Sequence, residues 1–336
     1  MPEHWFRELG MQVPVVQAGM GGGLSDAPLA TAVSRSGGLG TVGILPPAAF
    51  RTALVETREN LGERPFSANL LMPFVRAAHV AACVETRPTV VVMFYGFDAA
   101  LVRRLQRAGI HVWHQVGNLD QASRAVADGV DGLIAQGVEA GGHLGGNVPL
   151  RDLVPAVKAM AEGLPVLAAG GIHDAHGAAA ARRMGADGVV SGTRFLLAPE
   201  SGAHPDYKAR LLAADETLRT LLFGLAWPAY HRVVPNAATR RWCRKRPEGP
   251  RWLQWINTLT VPARSVITLA QVAAMTPLQR LSIPLYSAVS KTRDMAAGDV
   301  DVTPLYAGEG ISAMTTMQTV EEIVRALASG FAGGDA

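Results

Sequence analysis

The stretch 129–146, GVDGLIAQGVEAGGHLGG, sets the reading of the whole chain. Val130, Leu133, Ile134 and Ala135 form a short apolar run of the kind needed by a strand buried on both faces, and the polar Gln136 ends it. Gly137, Gly141, Gly142, Gly145 and Gly146 then fall within ten residues. A residue without Cβ permits positive φ and leaves room for close approach, so a flat, bulky ligand fits such a loop. His143 is the loop's one ionisable ring.

Working outward, the same unit recurs. Apolar strands are expected near 15–18, 39–42, 66–70, 89–93, 111–115, 132–135, 165–168 and 188–191. Amphipathic helices fall between them near 27–36, 47–60, 75–86, 98–107, 119–127, 150–162 and 175–184, with Asp98 and Asp174 as start signals. Eight strands in this spacing predict a (β/α)8 TIM barrel rather than an open doubly wound sheet, with the active site in the loops that follow the strands. An apolar pattern over 320–328 predicts the closing helix of the barrel. Residues 1–204 and 311–336 are therefore read as the barrel, and 205–310 as an added, mainly helical cap.

Composition limits the choice of function. At 336 residues and 49% hydrophobic content the chain can bury a barrel-sized core. A net charge of +3 is mild, and no long basic run precedes Arg240, which argues against nucleic acid. The segment 207–251 mixes arginines with tryptophan and reads mostly as a solvated, partly helical surface whose aromatics pack on the barrel, although it could instead cap the site and meet a phosphorylated or CoA-bearing substrate. Cys83 and Cys243 are too few for a disulfide framework, and no apolar run reaches the ~18 residues of a membrane span. A cytoplasmic protein without a membrane partner is the expectation.

Four sets of loops carry the chemistry. AGMGGG at 18–23 can pass beneath a planar ring, and Asn69 at the end of SANLL offers one donor and one acceptor to a heterocycle edge. AAGGI at 168–172 and DGVVSGTRF at 187–195 follow the seventh and eighth strands, where barrels commonly grip a phosphate through backbone N–H groups. Metal binding is not expected, because His111 and His114 lie three apart on a strand and point to opposite faces.

Taken together, VPVVQAGMGGG (13–23), SGGLGTVG (36–43), FSANLLMP (66–73), IAQGVEAGGHLGG (134–146), VLAAGGI (166–172), GADGVVSGTRF (185–195) and LYAGEG (305–310) resemble the nitronate monooxygenase family. The resemblance implies FMN in a TIM barrel and oxidation of an alkyl nitronate by dioxygen. It lays Ala18, Gly19 and Met20 along the isoalloxazine, gives Asn69 and Gln136 hydrogen bonds to the flavin, and lets it approach at Gly141. Gly171, Val190, Ser191, Gly192 and Thr193 would hold the phosphate, and His143 matches the catalytic histidine, as base or orienting donor. Gly19 stands where the family commonly has Pro, and His114 and Gln115 stand where small or hydroxyl residues are usual. All of these positions should border the substrate. Similar loops occur in NAD(P)H-dependent flavin reductases of enoyl or CoA thioesters and of quinones, so that reading stays open beside a flavin-binding protein without turnover.

Overall fold

The computed structural model describes residues 5–262, Gln271 and 276–332. The strands are, in chain order, β1 (Val15–Gln17), β2 (Thr41–Val42), β3 (Ser67–Leu71), β4 (Val90–Phe94), β5 (His111–Val116), β6 (Gly132–Gln136), the short β7 (Gly142–His143), β8 (Val166–Ala169) and β9 (Gly188–Ser191). All except β7 form one parallel sheet in the order β1-β9-β8-β6-β5-β4-β3-β2. The sheet closes on itself just ahead of β2. There Val16 bridges Leu39 in parallel, Leu39 N–H donates to Val15 O at 2.9 Å, and Gln17 N–H donates to Leu39 O at 3.0 Å. The eight expected strands are present and the TIM barrel is formed.

The period-2 geometry of the strands divides the core into two layers. Val90 and Val92 point into the barrel with Val16, Trp113, Ile134, Leu167 and Val190. Val91 and Met93 point outward into the layer shared with the helices. The helix Trp5–Glu8 closes the bottom: Trp5 meets Trp113 edge-on with centroids 5.6 Å apart and donates Nε1–H to Asp187 O at 3.0 Å. Helix starts follow the sequence signals. Asp98 Oδ1 accepts from Leu101 N–H at 2.9 Å and Asp174 Oδ1 from Gly177 N–H at 2.8 Å, satisfying backbone donors left open by the first turn. The helix Val320–Ala332 closes the ring by packing on Ala175–Arg183 and Ala27–Arg35.

Between Thr193 and this last helix the chain leaves the barrel pattern. It forms helices Pro205–Leu212, Ala237–Trp242 and Arg251–Leu259, and also two strands, β10 (Leu218–Thr220) and β11 (His231–Val233). The cap thus carries two short strands beside its helices. β11 pairs with β10 on one side and with β7 on the other, so the loop after β6 becomes the third strand of an antiparallel sheet, with His143 opposite His231. Tyr207 and Leu211 share an apolar cluster with Leu24, Leu196, Leu305 and Ile311, which fuses the insertion to the barrel rim. Among the described residues no helix is long and apolar enough to cross a membrane.

Candidate active site

A cavity of about 710 Å³ opens at the C-terminal ends of the barrel strands. Its floor comes from the loops after β1, β3, β6, β8 and β9, and its roof from the insertion at 225–227, 278–290 and 306–310. Ala18, Gly19, Met20, Asn69, Gln115, Gln136, Gly141, His143, Gly171, Val190, Gly192 and Thr193 all line it, so the barrel brings together residues spread over most of the chain.

Two expected residues do not reach it. His114 is buried away from the cavity, its ring stacked on Phe97 at 4.5 Å and 3°. Its Nε2 lies 2.8 Å from Gly96 O and its Nδ1 3.0 Å from Gln115 O. Burial outweighs these carbonyls and lowers the pKa of the ring, which acts as a structural tie and not as a substrate neighbour. Ser191 likewise points outward from the strand and donates its hydroxyl to Ile172 O at 2.7 Å, tying the two phosphate-loop candidates together.

Other expected residues reach the cavity with duties of their own. Gln136 accepts from Gly145 N–H at 2.8 Å and donates to His143 O at 2.9 Å, stapling the glycine-rich loop, and one Nε2 hydrogen remains for a ligand. At Gly141 a Cβ would lie 2.5 Å from Ala307 C, so the missing side chain makes room for the return of the 305–310 loop. A Cβ on Gly19 would lie 2.4 Å from Asn69 Cβ, so any side chain here would force Asn69 to move. Gly170 and Gly171 hold φ of +132° and +68°, and a Cβ on Gly171 or on Gly192 would meet nothing closer than 3.5 Å. These two loops form an open cradle with backbone N–H groups and small surfaces. Thr193 accepts from Gly308 N–H at 3.0 Å and so fixes the cradle to the roof.

The insertion adds residues that the sequence reading did not single out. Trp227 lies flat on His143, centroids 3.6 Å apart and planes 15° apart, while Tyr306, His231 and Tyr95 stand around the same imidazole at 5.4, 5.2 and 6.5 Å. Tyr95 OH donates to Leu144 O at 2.6 Å and Tyr306 OH to Ala288 O at 2.9 Å, so both phenols anchor loops. Arg232 donates to Val138 O at 2.7 Å and pairs with Glu309 Oε1 at 2.7 Å, binding the cap sheet to two site loops. Their signals were the aromatic residues clustered in LAWPAYHRVV and Tyr306 within the LYAGEG loop, and without a periodic pattern neither assigns a side chain to a particular wall.

Burial sets the electrostatics. His143 Nε2 is buried without a hydrogen-bond partner among the described residues, and burial, then the neighbouring His231, hold the ring's pKa well below the usual value, so it is neutral at neutral pH. His231 is pushed down to about 4 by burial. Its Nε2 faces Phe223 N–H at 3.4 Å and its Nδ1 faces Ala229 O at 3.0 Å, which fixes the Nδ1–H tautomer. Arg280 is the only charged side chain among the described cavity residues. No group of three or more metal-ligating side chains occurs among the described residues.

The chain matches the family described as nitronate monooxygenase over residues 6–87 and 72–330. It belongs to the nitronate monooxygenase family. A nitronate monooxygenase from Pseudomonas aeruginosa is 33% identical over 284 residues, covering 70% of this chain and 80% of that one. A Rhodococcus jostii dehydrogenase, named for a hydroxy-methyl-oxo-octahydroindene carboxyl-CoA, is 34% identical over 232 residues, covering 67% of this chain and 64% of that one. Among solved structures, nitroalkane oxidase from Streptomyces ansochromogenes superposes with a TM-score of 0.76 at 27% identity, covering 97% of both chains. FabK from Thermotoga maritima gives 0.75 at 27%, covering 96% of this chain and 94% of that one. As a nitronate monooxygenase family member, the chain is a flavin-dependent oxidoreductase of a small-molecule substrate, with dioxygen as the family's oxidant. The flavin fits the residues present: a glycine cradle, a neutral polar edge at Asn69 and Gln136, and an unpaired buried imidazole nitrogen beside them.

Proposed function

We propose that the protein holds FMN in the barrel and oxidises an alkyl nitronate with dioxygen under the roof formed by 225–227, 278–290 and 306–310. The observation that carries the reading is His143, a neutral imidazole whose buried Nε2 has no hydrogen-bond partner among the described residues, in a cavity that is also lined by the Gly170–Gly171 and Gly192–Thr193 cradle. In this reading the cradle backbone, with Gly171, Val190, Gly192 and Thr193, takes a ribityl phosphate. Ala18, Gly19 and Met20 back the ring, and Asn69 and the spare Gln136 hydrogen address its edge. FMN, when bound, supplies the two-electron redox chemistry. The protein supplies orientation, exclusion of water by Trp227 and Tyr306, and proton handling at His143. Two free, buried cysteines accord with a cytoplasmic setting.

The second reading, an NAD(P)H-dependent reductase of enoyl or CoA thioesters, draws on the 34% identical CoA-ester dehydrogenase and the FabK likeness. Anaerobic mixing separates the two. Rapid bleaching of the yellow protein by an alkyl nitronate, but not by NADH or NADPH, is the expected outcome; bleaching by a nicotinamide alone transfers the protein to the reductases, and the acid-released cofactor should be the mononucleotide.

A further inference from the structure

The cavity has two unlike halves. Residues fitted to the flavin come from the barrel, whereas the other walls, Leu225, Ala226 and Trp227, come from the insertion, and the wall continues outward through Leu278, Ile283 and Leu285. Those last three are 70%, 54% and 39% exposed although they line the cavity. Large apolar side chains left wet at a cavity mouth mark a ligand-binding surface, because covering them releases ordered water.

The same turn carries the charge. Arg280 bridges Ile283 across a tight antiparallel turn, Ile283 N–H donating to Arg280 O at 3.2 Å, and the buried Tyr286 holds that carbonyl from behind at 3.1 Å. Arg280 is exposed, and among the described residues no ion pair involves it. These bonds fix the backbone from which Arg280 extends beside the apolar wall, and no other charged side chain lines the cavity among the described residues.

We propose that the substrate is amphiphilic: its reacting end lies by His143, a long or bulky apolar body runs out along Leu225, Leu278, Ile283 and Leu285, and an anionic group at its far end meets Arg280. This deepens the flavin-oxidase reading and rests on it. A nitronate of two or three carbons would leave the outer wall wet, whereas each methylene buried there tightens binding by about fourfold.

The test uses the flavin-loaded protein and the nitronates of propane, hexane and decane, with anaerobic flavin bleaching as readout. Half-saturation should fall steeply with chain length, Ile283→Asp should flatten the series, and Arg280→Gln should weaken an ω-carboxylated nitronate relative to its uncharged counterpart, by up to about fivefold. A series with no dependence on length overturns the proposal. If no nitronate of any length bleaches the flavin, the nitronate reading fails by itself. Equilibrium dialysis of butanoate, octanoate and dodecanoate then decides the amphiphile proposal: affinity that rises with length and drops in Arg280→Gln sustains it, and flat or absent binding overturns it.

Discussion

His143 lies face to face with Trp227, ring centroids 3.6 Å apart and planes 15° apart, and the two residues come from different parts of the fold, one from the loop after a barrel strand and the other from the insertion. The indole is one of the surfaces that keep water off the imidazole and so lower its pKa. Replacing Trp227 with Ala should hydrate the ring and let its pKa rise toward the ordinary value. A base works in its neutral form, so the acid limb of kcat/KM should move to higher pH in Trp227→Ala. Comparing pH profiles of the two proteins checks this, and an unmoved limb would show that the stack does not control the proton.

Stability should respond to the same buried rings. His231 is held neutral in the fold with a pKa near 4, whereas in the unfolded chain it protonates near ~6.5. As pH falls the unfolded chain takes up the proton first. The contribution is therefore complete above pH ~6.5 and is lost as pH drops toward about 4, on the order of 3 kcal/mol. His143, lowered in the same direction, adds to the loss. Thermal melts between pH 7 and 4 should show the decline, and His231→Gln, which can still accept from Phe223 N–H, should flatten it.

The barrel was legible because a strand buried on both faces writes a continuous apolar run, and eight such runs with helical spacers leave few alternatives. The site half built on those strands was legible for the same reason. The failures are instructive in detail. His114 and Gln115 were both expected beside the substrate, yet neighbours on a strand face opposite sides, and Gln115 holds the cavity side. Val190 and Ser191 divide in the same way. Trp227, His231 and Tyr306 were out of reach for another reason. Their positions depend on β11 pairing with β7, a contact between segments about ninety residues apart that no local period encodes.

Glycine positions offer a test of geometry free of chemistry. A Cβ on Gly141 would strike the backbone of Ala307 and Gly308 at 2.5 and 2.6 Å, and backbone cannot swing aside like a side-chain tip. Gly141→Ala should therefore push the loop carrying His143 away from the 305–310 segment. Gly171 and Gly192 themselves lie outside the clash, and the strain reaches the cradle only through the Gly308–Thr193 hydrogen bond. Flavin content should remain near normal while kcat falls at least about tenfold, since a displacement on the ångström scale at a reacting group costs on that order or more. Gly19→Ala should do the reverse: Asn69 must move, and the measured loss should appear first as released flavin.

The role of His143 itself divides by substrate. A neutral nitroalkane must lose a proton from carbon before it can be oxidised, whereas a nitronate has already lost it. His143 is neutral at neutral pH, so it is in the form that can accept that proton, and its buried Nε2 has no competing partner. A general base typically contributes ~10²–10⁴-fold. If neutral nitroalkanes are substrates, His143→Ala should keep its flavin and lose their turnover by about that factor, with a much smaller loss on preformed nitronates. The carbonyl of residue 143, which accepts from Gln136 at 2.9 Å, survives the substitution, so the loop should hold its shape. Flavin content by absorbance and parallel assays on a nitroalkane and its nitronate give the answer. Equal losses on both substrates with flavin retained would make His143 an orienting donor, and loss of the flavin would reduce the ring to a part of the cofactor's cradle.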